Sequence, residues 1–210
     1  MHQPNYTMDH REDLREQILK VAIRKFTTIG VKSVKMDDIA RKLKISKRTL
    51  YEIYGNKEEL LMACVQRRIQ GFEAMMEHFS ANGDKQVIDI LLEFYRLQME
   101  ELRDMNPLYF EDLHKYPRVT AYLEQTRKAH DVRSMDFFRR GVQEGYLRDD
   151  FNYKLISLLG GSMMQNVMEY KLYNVYSLQD IFRNVIMLFI RGLCTAKGIE
   201  ELDRQLEAQP

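Results

Sequence analysis

Cysteine is scarce in this chain. Only Cys64 and Cys194 occur in 210 residues, too few for a disulfide framework and at no metal-ligand spacing. Both sit in apolar helical runs and read as reduced core thiols of a cytoplasmic protein. Helix breakers are scarce too. Four prolines and 10 glycines leave long stretches rich in Leu, Met, Glu, Lys, Arg and Gln, the good helix formers. Few stretches alternate with a period of two, so the chain reads as all-α. Long apolar runs are missing. The most apolar one, residues 185–190 (VIMLFI), is far too short to span a bilayer. Residues 1–10 are polar and lack the apolar stretch of a signal peptide. There is no glycine-rich phosphate loop, nucleophile elbow or metalloprotease helix motif. No enzyme, cofactor, metal or membrane partner is therefore expected. The 45% hydrophobic content excludes a chain too polar to bury a core.

What is present is an uneven charge. The formal net charge is +1, yet residues 11–68 hold 15 Lys and Arg against 8 Asp and Glu, a net of +7, and the remainder is acidic. A cationic segment joined to an anionic one suits a polyanion partner for the first part alone, although a solvated basic surface has the same composition.

The helical pattern divides the chain into a polar tail (residues 1–10, expected to be disordered), a first domain (11–68) and a second (69–210). Helix one, over residues 11–29, repeats Leu14, Ile18, Val21, Ala22, Phe26 and Ile29 at helical spacing and stops at Gly30. Helix two, 36–43, carries Met36, Ile39, Ala40 and Leu43, with Asp37 and Asp38 in the first turn, where the helix dipole favours carboxylates. After a break at Lys44-Ile45-Ser46, Ser46 caps helix three, 47–54. Asn56, with Glu59 three residues on, opens helix four. The second domain predicts helices over 87–103, 108–116, 118–143, 152–172 and 178–195.

Two short helices joined by a three-residue turn and braced by a third are the unit of a helix-turn-helix. One helix crosses the DNA backbone while the next enters the major groove. The reading helix needs cations or hydroxyls at its start and apolar residues behind. Here it begins Ser46-Lys47-Arg48-Thr49, with Leu50 inward. Its first free amides also face outward to phosphate. Helix spacing alone favours an ordinary αα-hairpin; the basic charge and cap chemistry shift the balance toward the DNA reader.

The stretch GVKSVKMDDIARKLKISKRTLYEIYGNKEELL, from Gly30 to Leu61, closely resembles the N-terminal domain of the TetR family of bacterial regulators. The shared pattern is Gly30, Ile39-Ala40, Ser46, Thr49-Leu50-Tyr51, Tyr54 in the aromatic position and Lys57-Glu58-Glu59-Leu60. The resemblance implies DNA binding by Lys35, Ser46, Lys47, Arg48, Thr49, Tyr51, Tyr54 and Lys57. Lys47 and Arg48 would lead in reading base edges, since Arg can bridge guanine O6 and N7. Tyr51 belongs to the DNA-facing set. Thr49, Tyr54 and Lys57 occupy positions that contact phosphate, which positions a domain without encoding sequence. Three residues depart from the pattern: Lys35 stands where a capping Thr is usual, Arg48 where a small residue is frequent, and Ile53 where His is frequent.

The resemblance further implies a homodimer formed through the last two helices. Residues 185–190 are apolar on every side, so that helix must bury one face in its own domain and another elsewhere, and Gly160-Gly161-Ser162 permits close backbone approach; the alternative is a wholly intramolecular core. A twofold dimer calls for a palindromic operator on double-stranded DNA. A small apolar or aromatic effector is expected in the second domain, where Tyr95, Met99, Tyr109, Phe110, Phe138, Met163, Met164 and Met168 are available. Each of these reads more readily as core. His114 and His130, with Glu111, Asp112 and Asp131 nearby, read as surface histidines. The expected function is a dimeric TetR-like transcriptional repressor. The alternative is a helical adaptor or ligand-binding module with a degenerate reading head.

Overall fold

A computed structural model describes residues 8–208. Among the described residues the chain forms ten α-helices and one short 3-10 turn. These are α1 (Met8–Ile29), α2 (Met36–Leu43), α3 (Lys47–Ile53), α4 (Lys57–Ala81), α5 (Val87–Arg103), α6 (Leu108–Leu113), α7 (Pro117–Gln143), α8 (Tyr153–Glu169), the turn Leu172–Asn174, α9 (Leu178–Leu193) and α10 (Ala196–Glu207). Of the expected tail, residues 1–7 lie outside the described residues, and α1 is already helical from Met8.

Two expectations are corrected. The helix predicted over 108–116 stops at Leu113, and a tenth helix follows the one predicted to be last. Thr195 caps α10, its side chain accepting from the Gly198 amide at 3.1 Å. Leu202 of the same helix is fully buried. The last two helices of the sequence reading are therefore α8 and α9, with α10 beyond them.

The described residues form two compact units, and chain order does not define them. One comprises the residues up to Gly71 with Asp104–Tyr122; the other comprises Phe72–Arg103 with the residues from Leu123 on. The sequence reading placed 104–122 in the second domain. They belong to the first unit because α6 packs on α1, a contact between segments far apart in the chain.

In the first unit α1 packs on α2 and α6, and α2 on α3. Their inward faces bury Ile18, Ala22, Phe26, Ile39, Ala40 and Leu50. Each such side chain removed from water contributes about 1.5–3 kcal/mol. The joints are short and specific. Gly30 ends α1 at φ +85°, a left-handed conformation open to glycine, with its amide bonded to the Phe26 carbonyl at 3.1 Å. Lys44 closes α2 in the same region at φ 56°, which lets the Ile45 amide reach the Ala40 carbonyl at 3.0 Å.

In the second unit α5 packs on α9 and α10. Val87, Ile88, Leu92, Leu147, Ile190 and Leu202 form its core. A Cβ on Gly198 would lie 2.3 Å from the Tyr146 carbonyl oxygen, so the start of α10 sits directly on that strand of backbone. The two cysteines are buried. No helix among the described residues is long and apolar enough to cross a membrane.

Candidate nucleic-acid interface

Helix α3 sorts its residues by face. Leu50 is 0% exposed, whereas Lys47, Arg48 and Tyr51 face solvent. Positions 47, 48 and 51 share one side of a helix because 3.6 residues complete a turn. Ser46 fixes the helix start. Its Oγ accepts from the Thr49 amide at 3.0 Å and lies 2.8 Å from the Thr49 hydroxyl. Each hydroxyl retains further hydrogen-bonding capacity.

The cations around α3 have local partners. Lys47 forms an ion pair with Asp37 in the first turn of α2. Arg48 pairs with Glu52 at 2.8 Å, one turn along α3. Arg41 pairs with Asp38 at 2.9 Å. Lys35 is exposed at the start of α2. Lysine has no acceptor with which to cap, and the return half of the cap is supplied by Asp38, whose carboxylate accepts from the Lys35 amide at 3.4 Å. Between residues 35 and 57 there are seven Lys and Arg against three Asp and Glu, so the surface stays cationic.

Lys57, at the start of α4, donates to the Lys32 carbonyl at 3.3 Å. Partial burial lowers its pKa below the usual lysine value, against the opposing pull of Asp112. The adjacent turn is closed by Glu59, whose carboxylate accepts from the Gly55 amide at 3.0 Å, while Asn56 caps the Glu59 amide at 2.9 Å.

Tyr54 is set apart from the other seven. It is 4% exposed, and the Arg15 guanidinium lies over its ring at 5.5 Å. Burial pushes its phenol pKa up. The structure thus brings Lys35, Ser46, Lys47, Arg48, Thr49, Tyr51 and Lys57 onto or near the surface of one unit and turns the Tyr54 ring inward.

The sequence names Asp112 only as a carboxylate near His114 and gives it no role of its own. At 4% exposure it is the buried charged residue of the described chain. Its carboxylate accepts from the Lys32 amide at 2.6 Å and from Lys115 Nζ at 2.6 Å. No local pattern signals this, because its first partner lies 80 residues away.

The residues named for an effector are divided between the two units. Tyr109 and Phe110 pack edge to face within the first unit, ring centroids 5.5 Å apart. Tyr95 stacks on Phe182 and Phe138 on Tyr153, both within the second unit. The Met99 carbonyl accepts from Gln179 at 2.9 Å. The side chain of Met164 lies outside the described residues. An open groove of about 600 Å³ in the second unit is lined instead by Met75, Phe79 and Leu97 with Lys85, Glu93 and Arg96. His114 is exposed, and His130 Nε2 lies 3.0 Å from Glu73.

Comparison with known proteins agrees with this geometry. Residues 18–64 match the model of the bacterial regulatory proteins of the tetR family. An HTH-type transcriptional repressor of Streptomyces coelicolor is 25% identical over 138 residues, 66% of this chain and 69% of the repressor. Among solved structures, the regulatory protein TetR from Rhodobacter sphaeroides superposes with a TM-score of 0.68 at 16% identity, covering 85% of this chain and 97% of that one. A regulator from Saccharomonospora viridis in complex with choline reaches 0.71 at 16% identity, covering 88% and 99%. The fatty acid degradation regulator FadR from Bacillus halodurans reaches 0.65 at 17% identity, covering 85% and 95%. Residues 18–64 are therefore a helix-turn-helix domain of the tetR family of bacterial regulatory proteins, in a chain with the all-helical fold of TetR-type regulators.

Proposed function

We propose that the protein binds a palindromic operator on double-stranded DNA as a homodimer and represses transcription until a small effector releases it. The observation that carries this reading is the split face of α3, with Leu50 fully buried and Lys47, Arg48 and Tyr51 turned to solvent. In this reading Lys47, Arg48 and Tyr51 meet base edges in the major groove. Lys35, Ser46, Thr49 and Lys57 hold phosphate. Tyr54 supports them from beneath through its contact with Arg15.

The dimer would form through α8 and α9. Leu155, Leu158 and Leu159 stand half exposed on α8, and Leu188 is 66% exposed on α9. Such apolar surface gains by burial against a second copy, and a twofold pair presents two reading helices to successive grooves. Repression is what the Streptomyces coelicolor relative is named for, and an effector is in keeping with the choline-bound neighbour. An effector shifts such a regulator only through different affinity for its bound and released states.

Selection of bound duplexes from a random pool tests the reading. The wild type should enrich a site with twofold symmetry and bind it with a steep salt dependence. Arg48→Ala should lose about 1–3 kcal/mol of discrimination at one base pair per half-site. A wild type that enriches nothing would return the chain to the helical-adaptor alternative.

A further inference from the structure

We propose that Asp112 is a positioning residue for DNA binding: by fixing Lys32, its carboxylate sets where the Lys57 ammonium meets the DNA backbone. The inference rests on the phosphate-binding reading of Lys57.

Residue Lys32 is held from two sides. Its N–H donates to Asp112 Oδ2 at 2.6 Å, and its carbonyl accepts from Lys57 Nζ at 3.3 Å. The turn that carries it leads directly into α2. The segment bearing Asp112 is itself anchored to the end of α1. The Asn106 amide donates to the Thr27 carbonyl at 2.7 Å, and the Asn106 side chain reaches the Thr28 carbonyl at 3.3 Å. A Cβ on Gly30 would lie 3.1 Å from Leu108 Cβ and 3.2 Å from Asp112 Oδ2, so α6 fits against the turn with no slack. Arg68 lies over the Tyr109 ring at 5.0 Å, tying α4 to the same helix.

A carboxylate hidden from water is costly unless its lone pairs are taken. Here an amide and an ammonium take them. The second of these, Lys115, is exposed and could neutralise the charge unaided. The Lys32 amide therefore receives a short charge-assisted hydrogen bond, the stronger kind, at the residue whose carbonyl steers Lys57. A lysine steered in this way loses less freedom when it binds phosphate.

The test measures how affinity falls with salt for a duplex that the wild type itself enriches from a random pool. Each phosphate contact contributes about 0.9 to the slope of log Kobs against log salt. Asp112→Ala should lower the slope by about one such contact per head, and adding Lys57→Gln to it should change the slope no further. Asp112→Asn, which keeps an acceptor oxygen for the Lys32 amide, should restore the wild-type slope. A loss of folded protein alone would lower the whole line and leave its slope unchanged. If Asp112→Ala does not fold, Asp112→Ser, too short to reach the amide, is held to the same criterion. An unchanged slope in the folded Ala or Ser variant, a further drop on adding Lys57→Gln, or an Asn variant that behaves like Ala would each overturn the inference. If the wild type enriches no duplex, the DNA-binding reading fails and this one with it. If the wild type binds and Asp112→Ala keeps its slope, this one fails alone.

Discussion

The Arg48 guanidinium holds the Glu52 carboxylate at 2.8 Å, one turn along α3. A cation assigned to base reading is thus paired within its own helix in the free chain, just as Lys47 is paired with Asp37. In the proposed complex, DNA would exchange these partners for bases and phosphates.

Removing the internal partner should therefore favour DNA without favouring a sequence. An exposed pair of this kind is weak in water and readily exchanged. Glu52→Gln should tighten binding to a duplex of arbitrary sequence by about two- to fivefold at low salt, and less at high salt. Fluorescence anisotropy at two salt concentrations reads this out. Weaker binding would mean that Glu52 orients Arg48 for its contact.

Leu188 is 66% exposed on α9. Leu188→Asp should leave the helical circular dichroism signal intact while sedimentation shows the monomer, because a carboxylate carried into an apolar interface is costly. Binding to a palindromic duplex should fall in parallel. A dimer of wild-type stability would remove α9 from the proposed interface.

Burial raises the Cys64 thiol pKa to about 12 and that of Cys194 to about 11, so both are neutral when folded at ordinary pH. The unfolded chain ionises them near pH 9. Their contribution to stability is complete below that value and is lost as pH rises from about 9 toward these raised values. Iodoacetamide should label the native protein slowly at pH 8 and rapidly in denaturant, with mass spectrometry counting the adducts. Fast labelling of the folded protein would contradict the burial.

Gly198 admits no side chain against the Tyr146 carbonyl. Gly198→Ala should displace the start of α10 and destabilise the protein by about 1–3 kcal/mol, the usual cost of overpacking. Thermal unfolding measures it, and Gly71→Ala, where a Cβ meets nothing within 4 Å, is the matched control.

The helix-turn-helix was legible because its signals are local. Ser46 caps a helix three residues away, Asn56 does the same, and Leu50 falls on the one inward position of a short helix. Tyr54 was harder, since an aromatic at a helix end serves core and surface alike; only the Arg15 contact settles its direction. The position of α10 was within reach. Thr195 is an N-cap residue, and Ile199, Leu202 and Leu206 repeat at helical spacing, but the apolar run before them drew the boundary too early. Asp112 and the membership of residues 104–122 in the first unit were not legible. Both depend on pairings such as Asn106 with Thr27, which leave no periodic trace.

That membership bears on how the molecule can be taken apart. A fragment ending near Arg68 would carry the whole helix-turn-helix motif yet leave the Lys32 amide without its acceptor and the Gly30 turn uncovered. A graft that gives this head to another regulator's body must transfer two pieces of the gene, the beginning and the stretch encoding α6. Exchange at a single crossover would splice the head to a stranger's α6.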